Sequence, residues 1–405
     1  MPKVPNKVIY NGTTLIDITD TTAEPANVKA GAVFYDKAGV RQVGTAPYSV
    51  EAKKSTQKND KVANRVDYNG STLIDLTDTT ATPDTVELDC VFYDKAGVRQ
   101  TGKVGDVVYY DTTDNSLRFF GIVQDDYEEK VKSGVASRFR WANTPATWSE
   151  GQPDWYSYNQ SIKKVVFDNT VEQFKPTSMV AWFTQMTNSK EMINLQYLDT
   201  RKVINFDSCF MSYCYNQTTP HTIDLSNFDT SSSTNFTSMF RYFFYSSTVA
   251  PTIDISNFDV SNATSLQNMF AGFANSATTS PNIDTSNFDT SNATTAFSMF
   301  SGFARSSTSQ VILDLSKINT QNLTNVLNMF SNFASSAPSA KLKWSNENAT
   351  QAVALPSGTF QNSKFLIANS NFKIYVPDHL YDTYKIMTNW AYVYAQGNLE
   401  YQSNW

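Results

Sequence analysis

A constant 30-residue period in the second half of the chain is the feature that most constrains its fold. The segment Ile223-Asp224-Leu225-Ser226-Asn227-Phe228-Asp229 recurs from Ile253, from Ile283 and, in altered form, from Leu313. Each copy is followed at the same distance by a Met-Phe-x-x-Phe block, starting at Met239, Met269, Met299 and Met329. A weaker copy lies one period earlier, with Cys209 in place of the methionine. A fixed period of this length is the signature of a stacked repeat architecture.

The two parts of one repeat predict a strand and a helix. Alternation places Ile223 and Leu225 on one side of a strand and Asp224 on the other. Leu266, Met269, Phe270 and Phe273 fall at i, i+3, i+4 and i+7, which favours an amphipathic helix. Because one strand and one helix cannot bury both apolar faces alone, neighbouring repeats must stack. The predicted fold is an α/β solenoid with a parallel sheet, and Thr285, at an inward aliphatic position, should weaken its packing locally.

A second repeat, with an offset of 58 residues, occupies the front of the chain. Residues 8–45 and 66–103 share YNGxTLIDxTDTT and VFYDKAGVRQ. An Asn-Gly turn, a strand, a short helical turn at Pro25 or Pro83 and a second strand are expected in each copy. These two small β-rich modules are each too short to fold alone, so we expect partner copies of the same chain to supply the missing burial.

Composition limits the possible partners and chemistry. Charged residues make up only 17% of the 405 residues, against about 25% in a typical soluble domain. The net charge of −6 argues against nucleic-acid binding, and no apolar stretch is long enough for membrane insertion. The opening residues lack the apolar segment of a secretory signal, which predicts that the mature chain begins here. Two histidines and three cysteines favour neither a metal site, nor a cofactor, nor a disulfide scaffold, and Cys209 and Cys214 are expected to be buried thiols.

Outward-facing aspartate and serine side chains form the first candidate binding site. Stacked repeats should place like charges about 4.8 Å apart, where they repel one another. One interpretation is solvation with hydrogen bonds from the neighbouring serines, and the other is a cation-bridged or glycan-binding concave face. Residues 203–340 contain eight Asp, no Glu and three basic residues, so an acidic sheet is expected. The candidate residues are Asp224, Ser226, Asp254, Ser256, Asp284, Ser286, Asp314 and Ser316.

Tryptophans ahead of the repeats form the second candidate site. Trp141, Trp148 and Trp155 lie in a segment rich in Pro, Ser and Asn. Aromatic rings in loops can stack on sugar faces, but an end cap over the first repeat would need the same residues. Both interpretations remain open from the sequence.

The repeat pattern IDLSNFDTSSSTNFTSMF resembles the BspA-like leucine-rich repeat surface proteins of bacteria and phages. Trp182-Phe183 resembles the N-terminal flank of that family and residues 372–393 its C-terminal cap. The resemblance covers about residues 161–405 and implies a leucine-rich-repeat-like solenoid. The front repeat resembles short modules in tail and other virion proteins of phages infecting Firmicutes.

The predicted organisation has seven parts. It comprises module copy 1 (1–45), a linker (46–64), module copy 2 (65–103), a Trp-rich connector (104–160), an N-terminal cap (161–192), the repeats (193–333), and a last turn with the C-terminal cap (334–405).

Together these resemblances imply a non-enzymatic phage virion protein, assembled in the host cytoplasm and exposed on the particle. Residues 1–103 would dock on other virion proteins, a homotrimer is expected, and the solenoid would bind a host cell-surface glycan or protein. One alternative is a bacterial surface adhesin of the BspA-like type. The other is a carbohydrate-cleaving tailspike that uses paired aspartates.

Overall fold

The computed structural model shows a mixed α/β protein made mostly of sheets, with few helices. It describes residues 7–10, 13–17, 21–23, 25, 33–43, 65–68, 71–75, 79–86, 90–93, 99–101, 103–140, 151–173, 175–285, 287–368 and 371–405. The predicted linker 46–64 therefore lies outside the described residues. The chain divides into two compact units, one of residues 1–109, 119–138 and 168–174, the other of residues 110–118, 139–167 and 175–405.

Each front module contains two antiparallel hairpins. The strands are β1 (Lys7–Tyr10), β2 (Thr13–Asp17), β3 (Val33–Tyr35) and β4 (Arg41–Val43) in the first copy, and β5 (Arg65–Tyr68), β6 (Ser71–Asp75), β7 (Val91–Tyr93) and β8 (Arg99–Thr101) in the second. Tyr10 pairs with Thr13 and Tyr68 with Ser71, so two residues connect the strands, as the Asn-Gly turns predict. The predicted helical turn at Pro83 is the 3-10 helix Pro83–Thr85.

The two modules supply each other's burial within one chain. The Ala23 amide donates to the Val91 carbonyl at 3.3 Å, and the equivalent Ala81 amide donates to the Val33 carbonyl at 3.2 Å. Phe34 and Phe92 are fully buried in one shared cluster with Ala23, Ala81, Val86 and Cys90. A reciprocal pair of modules within one chain thus provides burial that the sequence led us to expect from other copies of the chain.

A longer sheet and a helix follow the modules. The elements are β9 (Val104–Asp111), β10 (Ser116–Ile122), α1 (Asp125–Lys132), β11 (Ala136–Arg140), β12 (Lys164–Phe167) and β13 (Glu191–Ile193). The strands form one sheet in the order β11-β9-β10-β12-β13. Acidic residues in the first turn of α1 and lysines in its last turn complement the helix dipole.

The repeat strands pair in parallel, and the first two pair at the 30-residue offset that the period predicts. They are β14 (Thr222–Asp224), β15 (Thr252–Asp254), β16 (Val311–Asp314), β17 (Ala340–Lys343), β18 (Phe372–Val376) and β19 (Leu399–Tyr401). Ile223 pairs with Ile253, and β16 to β19 form a four-stranded parallel sheet. The regular strand is lost around Thr285, where a single bridge from Thr252 to Asn282 remains. Thr285 is nevertheless buried, and its hydroxyl donates to the Asp314 carbonyl.

The Met-Phe-x-x-Phe blocks are not helices, so the predicted strand-plus-helix repeat is wrong in its second half. In the block 235–244, alternate amides bond to the next repeat, with Phe240 donating to the Met269 carbonyl at 2.9 Å. The amides between them donate to the carbonyl three residues earlier and so close a turn, as the Met239 amide does to the Phe236 carbonyl at 3.2 Å. Ser238 and Tyr242 have positive φ angles of 56° and 58°, which an α-helix cannot contain. We call these segments the turn blocks, residues 178–186, 205–214, 235–244, 265–274, 295–304, 325–334 and 357–363.

Aromatic rings stack from repeat to repeat inside the turn blocks. One column runs through Phe183, Phe210, Phe240, Phe270, Phe300, Phe330 and Phe360, with ring centroids 5.0–5.8 Å apart. A second column runs through Tyr213, Phe243, Phe273, Phe303, Phe333 and Phe365, with centroids 5.4–6.0 Å apart. These spacings suit attractive ring pairs, and complete burial of each ring adds hydrophobic stabilisation. The two ring columns are the core of the repeats.

Large aromatic residues close both ends of the core. Trp182 at one end and Trp344 at the other are fully buried. The second end also contains α2 (Tyr381–Ile386) and α3 (Trp390–Ala395), whose Trp390 packs 6.0 Å from Trp344. Further 3-10 helices are Asp154–Tyr158, Asn169–Gln173, Leu195–Tyr197, Lys364–Leu366, Asp378–Leu380 and Gln402–Asn404.

Candidate functional site

The outward side chains of the repeat strands form two rows, one on β14 and β15 and one on β16 to β19, which we together call the strand face. The pairing registers Asp224 directly against Asp254, and Thr222 against Thr252. These side chains are exposed, while Ile223 and Ile253 between them are buried. Strand alternation therefore places Asp224 and Asp254 next to each other on the surface, as the sequence pattern requires.

Hydrogen bonds within each strand end hold the aspartates in place. The Asp224 carboxylate accepts from the Ser226 amide at 2.9 Å, and Asp314 accepts from the Ser316 amide at 2.8 Å. Asp254 accepts from both the amide and the hydroxyl of Ser256, at 3.1 and 2.7 Å. These bonds hold the pKa of Asp254 below its usual value, so this side chain is an anion at neutral pH. Asp284 is exposed, and Ser286 lies outside the described residues.

The strand face changes character after Asp314. In the next strand the partner of Asp314 is Lys343, whose Nζ lies 3.9 Å from an Asp314 carboxylate oxygen. The strand after that places Tyr375 at the same position. Exposed aspartates therefore occupy the outward positions of β14, β15 and the end of β16, whereas Lys343 and Tyr375 occupy that position in the next two strands. The sequence analysis did not single out Lys343 and Tyr375, although the change from Asp to Lys at the outward position indicated that the charge of the face changes there.

Neutral polar side chains link the repeats beside this face. Asn257 and Asn262 donate to the carbonyls of Ser226 and Ser231 at 2.6 and 2.7 Å. Thr230 donates to the Asp259 carbonyl at 2.8 Å. Similar bonds recur in other repeats, from Asn287, Asn292, Asn322, Thr200 and Thr290. Much of the Ser, Thr and Asn content therefore stabilises the stack, and only part of it is free to contact a ligand.

The tryptophan site is only partly described. Trp155 is almost fully buried, and its Nε1 donates to the Trp182 carbonyl at 2.9 Å. Its ring lies edge-on to that of Trp182, with centroids 5.8 Å apart. Trp155 therefore offers no ring face to a ligand and occupies the position expected of a cap residue. Trp141 and Trp148 lie outside the described residues.

Other chemically reactive side chains are placed in the interior. Cys209 and Cys214 are buried free thiols, as expected, and burial raises the pKa of each. Within the described part of the chain, no group of three or more His, Cys, Asp or Glu side chains is arranged to hold a metal ion. Over the same residues, no helix combines the length and apolarity needed to cross a bilayer.

Comparison with known proteins identifies one family. Its model, described as "Mycoplasma protein of unknown function, DUF285", matches residues 158–245, 177–312 and 242–366. The overlapping matches together cover residues 158–366, just over half of the chain. No curated protein and no solved structure matches the chain. The matched range contains the turn blocks and the strand face as far as β17, and the chain belongs to the DUF285 family of BspA-like repeat proteins.

Proposed function

We propose that this protein is a non-enzymatic, BspA-like surface adhesin whose strand face binds a glycan or protein on another cell. The observation that carries the proposal is that one side of the repeat strands β14 and β15 is buried in the core while the other side is exposed. Inward side chains such as Ile223 and Ile253 are buried, whereas Asp224 and Asp254 are exposed in register. Membership of a repeat family supports the same conclusion.

The finer architecture that we infer is a leucine-rich-repeat-like, right-handed solenoid. Parallel bridges link successive turn blocks at a constant offset of one period, through Asn205, Asn235, Ser265, Thr295 and Asn325. The turn blocks at 178–186 and 357–363 continue the same pattern of interstrand hydrogen bonds at both ends. A solenoid presents its outward side chains as an extended surface, which suits adhesion through repeated weak contacts.

The carbohydrate-cleaving alternative needs two carboxyl groups in different protonation states, and Asp254 suits only one of these two roles. Glycosidic hydrolysis requires one carboxyl group that stays protonated to act as the acid and a second that is ionised. The lowered pKa of Asp254 and its two bonds from Ser256 favour the ionised form. A reducing-end assay on cell-wall polysaccharide tests this alternative directly, and release of reducing ends would support it.

A second candidate is the phage setting, favoured by the resemblance of the front modules to virion modules. In that setting residues 1–103 bind other virion proteins, and the protein is exposed on a particle assembled in the host cytoplasm. The family match gives this setting no support, whereas it agrees with an adhesin. Electron microscopy of particles with a specific antibody separates the two settings.

A homotrimer remains a separate proposal. The small size of the front modules favours self-association, although the reciprocal packing of Phe34 and Phe92 already provides burial within one chain. Light scattering on the full chain tests it, because a trimer would have three times the mass of a monomer.

A cell-binding assay tests the adhesin proposal. The labelled full chain is incubated with a panel of intact cells, and the double variant Asp224→Asn/Asp254→Asn is compared with it. Asparagine preserves the turn to the Ser226 and Ser256 amides but removes two charges. The matched control is Asp126→Asn/Asp382→Asn, because both of these aspartates are exposed and belong to helices rather than to repeat strands.

The expected result is saturable binding that the face variant weakens at least about ten-fold, a loss of about 1.4 kcal/mol. The control should bind like the unaltered chain. Equal binding by both double variants would remove the strand face from the proposal, and no binding to any cell would defeat adhesion itself.

A further inference from the structure

The lysine-rich end of the strand face contains an open cleft with a volume of about 430 Å³. Its lining includes Lys341 of β17, Lys373 and Tyr375 of β18, and the polar residues Gln310 and Ser339. Lys341 and Lys373 are register partners on neighbouring parallel strands. Their backbones are therefore about 4.8 Å apart, and their side chains leave the sheet on the same face.

Three lysine side chains and two carboxylate side chains lie around this cleft. Lys373 donates to a Glu400 carboxylate oxygen at 2.7 Å and to the Gly397 carbonyl at 2.6 Å. Lys343 has a long contact of 3.9 Å with Asp314. Lys341 has no carboxylate within ion-pair distance among the described residues, and its Nζ lies 5.5 Å from the Tyr375 ring centroid. Like charges placed directly opposite on neighbouring strands destabilise a sheet, and a bound anion would relieve that cost.

Aromatic and neutral polar groups surround the ammonium groups. Trp405 is 37% exposed, and its ring packs edge-on against Tyr375 with centroids 5.1 Å apart. The Nζ atoms of Lys341 and Lys343 lie 5.8 and 5.7 Å from the Trp405 ring centroid. Gln310 and Ser339 add an amide and a hydroxyl at the edge of the cleft. Cations, a partly exposed ring and neutral hydrogen-bonding groups together match an anionic group carried on a hydroxyl-rich ring or chain.

We propose that this cleft, centred on Lys341 and Lys373, binds an anionic saccharide unit through its carboxylate or phosphate group. The ammonium groups of the two lysines pair with the anion. The Gln310 amide and the Ser339 hydroxyl exchange hydrogen bonds with the sugar hydroxyls, and Trp405 packs against the sugar ring. The inference rests on the proposed adhesin function, for which it names the ligand class at one end of the strand face.

Isothermal titration of the full chain tests the proposal with defined probes. Trigalacturonate carries the carboxylate, glycerol 3-phosphate carries the phosphate, and maltotriose is the neutral control. The variants are Lys341→Gln and Lys373→Gln, each of which removes one cation from a partly exposed side chain. Lys202→Gln is the matched control, because Lys202 is exposed and lies outside the cleft.

We expect at least one anionic probe to bind, with affinity that falls as salt is raised, and no binding of maltotriose. Lys341→Gln should weaken that binding about ten-fold at an unchanged melting temperature, and Lys202→Gln should not. Lys373→Gln tests the same site independently if Lys341→Gln does not fold. The relative affinities of the two anionic probes distinguish a carboxylate from a phosphate source.

Failure of both anionic probes to bind, equal binding of maltotriose, or unchanged affinity in both lysine variants would overturn the proposal. Cell binding by the same full-length variants is measured in parallel, so that failure of the cleft proposal can be distinguished from failure of the adhesin proposal. If Lys341→Gln adheres normally and no anionic probe binds, the cleft proposal fails while the adhesin proposal stands.

Discussion

At the scale of single residues, the stability of the repeats depends on which neighbours each side chain contacts. Phe270 is fully buried between Phe240 and Phe300, with ring centroids 5.5 Å away on each side. Its removal opens a cavity in a column that has no other residue to fill it.

We expect Phe270→Ala to lower the free energy of unfolding by about 3–5 kcal/mol, from lost burial and the remaining cavity. Urea unfolding of the full chain measures this change. Ile312→Ala is the control, because Ile312 lies on a repeat strand with 49% of its surface exposed and should change stability by less than about 0.5 kcal/mol. Equal effects of the two variants would show that the ring column does not form the core.

A second prediction concerns Asp199 and pH. The Arg201 guanidinium donates to its carboxylate at 2.9 and 2.6 Å, and Lys175 lies 3.0 Å away, which holds the pKa of Asp199 well below its usual value despite partial burial. Because the folded-state pKa is lower than the unfolded one, the stabilisation is present above about pH 4 and is lost as the pH falls below that value.

Asp199→Asn should therefore reduce the acid-induced loss of stability, measured as unfolding midpoints between about pH 6 and pH 3. Asp382→Asn, at a side chain 82% exposed, should leave the pH dependence unchanged because surface ion pairs contribute little. Identical pH dependence in Asp199→Asn and the unaltered chain would contradict this assignment.

At the scale of elements, the sequence predicts which side of the repeat faces inward better than it predicts backbone conformation. The spacing of Leu266, Met269, Phe270 and Phe273 is shared by a helix and by the turn blocks, and all four side chains are buried. What periodicity cannot show is that alternate amides bond to the next repeat, since that depends on contacts 30 residues away.

For the candidate site too, the sequence predicts which side chains face outward but not which distant residues come together. Alternation places Asp224 and Asp254 outward, and the structure pairs them. The cleft at Lys341 and Lys373 was not predictable, because these residues are 32 positions apart and the regular period no longer aligns them. The turn blocks at 178–186 and 357–363 were missed for a related reason, since neither retains the Met-Phe-x-x-Phe pattern.

Bonds between elements give a third prediction. Asn257→Ala removes the 2.6 Å bond to the Ser226 carbonyl and should cost about 0.5–1.5 kcal/mol in the free energy of unfolding. Asn227 occupies the same position one repeat earlier, and among the described residues it makes no such bond, so Asn227→Ala is the matched control. A cost for Asn227→Ala as large as that for Asn257→Ala would show that the bond does not stabilise the stack.

At the scale of the whole molecule, one chain contains two kinds of repeat that bury their apolar side chains in different ways. The front modules pack as a reciprocal pair around Phe34 and Phe92. The later repeats stack in a parallel series that can be lengthened or shortened by whole periods. The adhesin proposal depends on that series, because it is what holds the strand face in register.

Deletion of one whole period tests the stack most directly. Removing residues 254–283 joins Ile253 to Asp284 and restores the Ile-Asp sequence of a normal repeat. Circular dichroism and urea unfolding of this chain should show a cooperative transition and the same signal per residue as the unaltered protein. A chain lacking only residues 254–268 breaks the register and should lose that transition. If the half-period deletion unfolded as cooperatively as the whole-period deletion, or if the whole-period deletion did not fold, the stacked-repeat account would be contradicted.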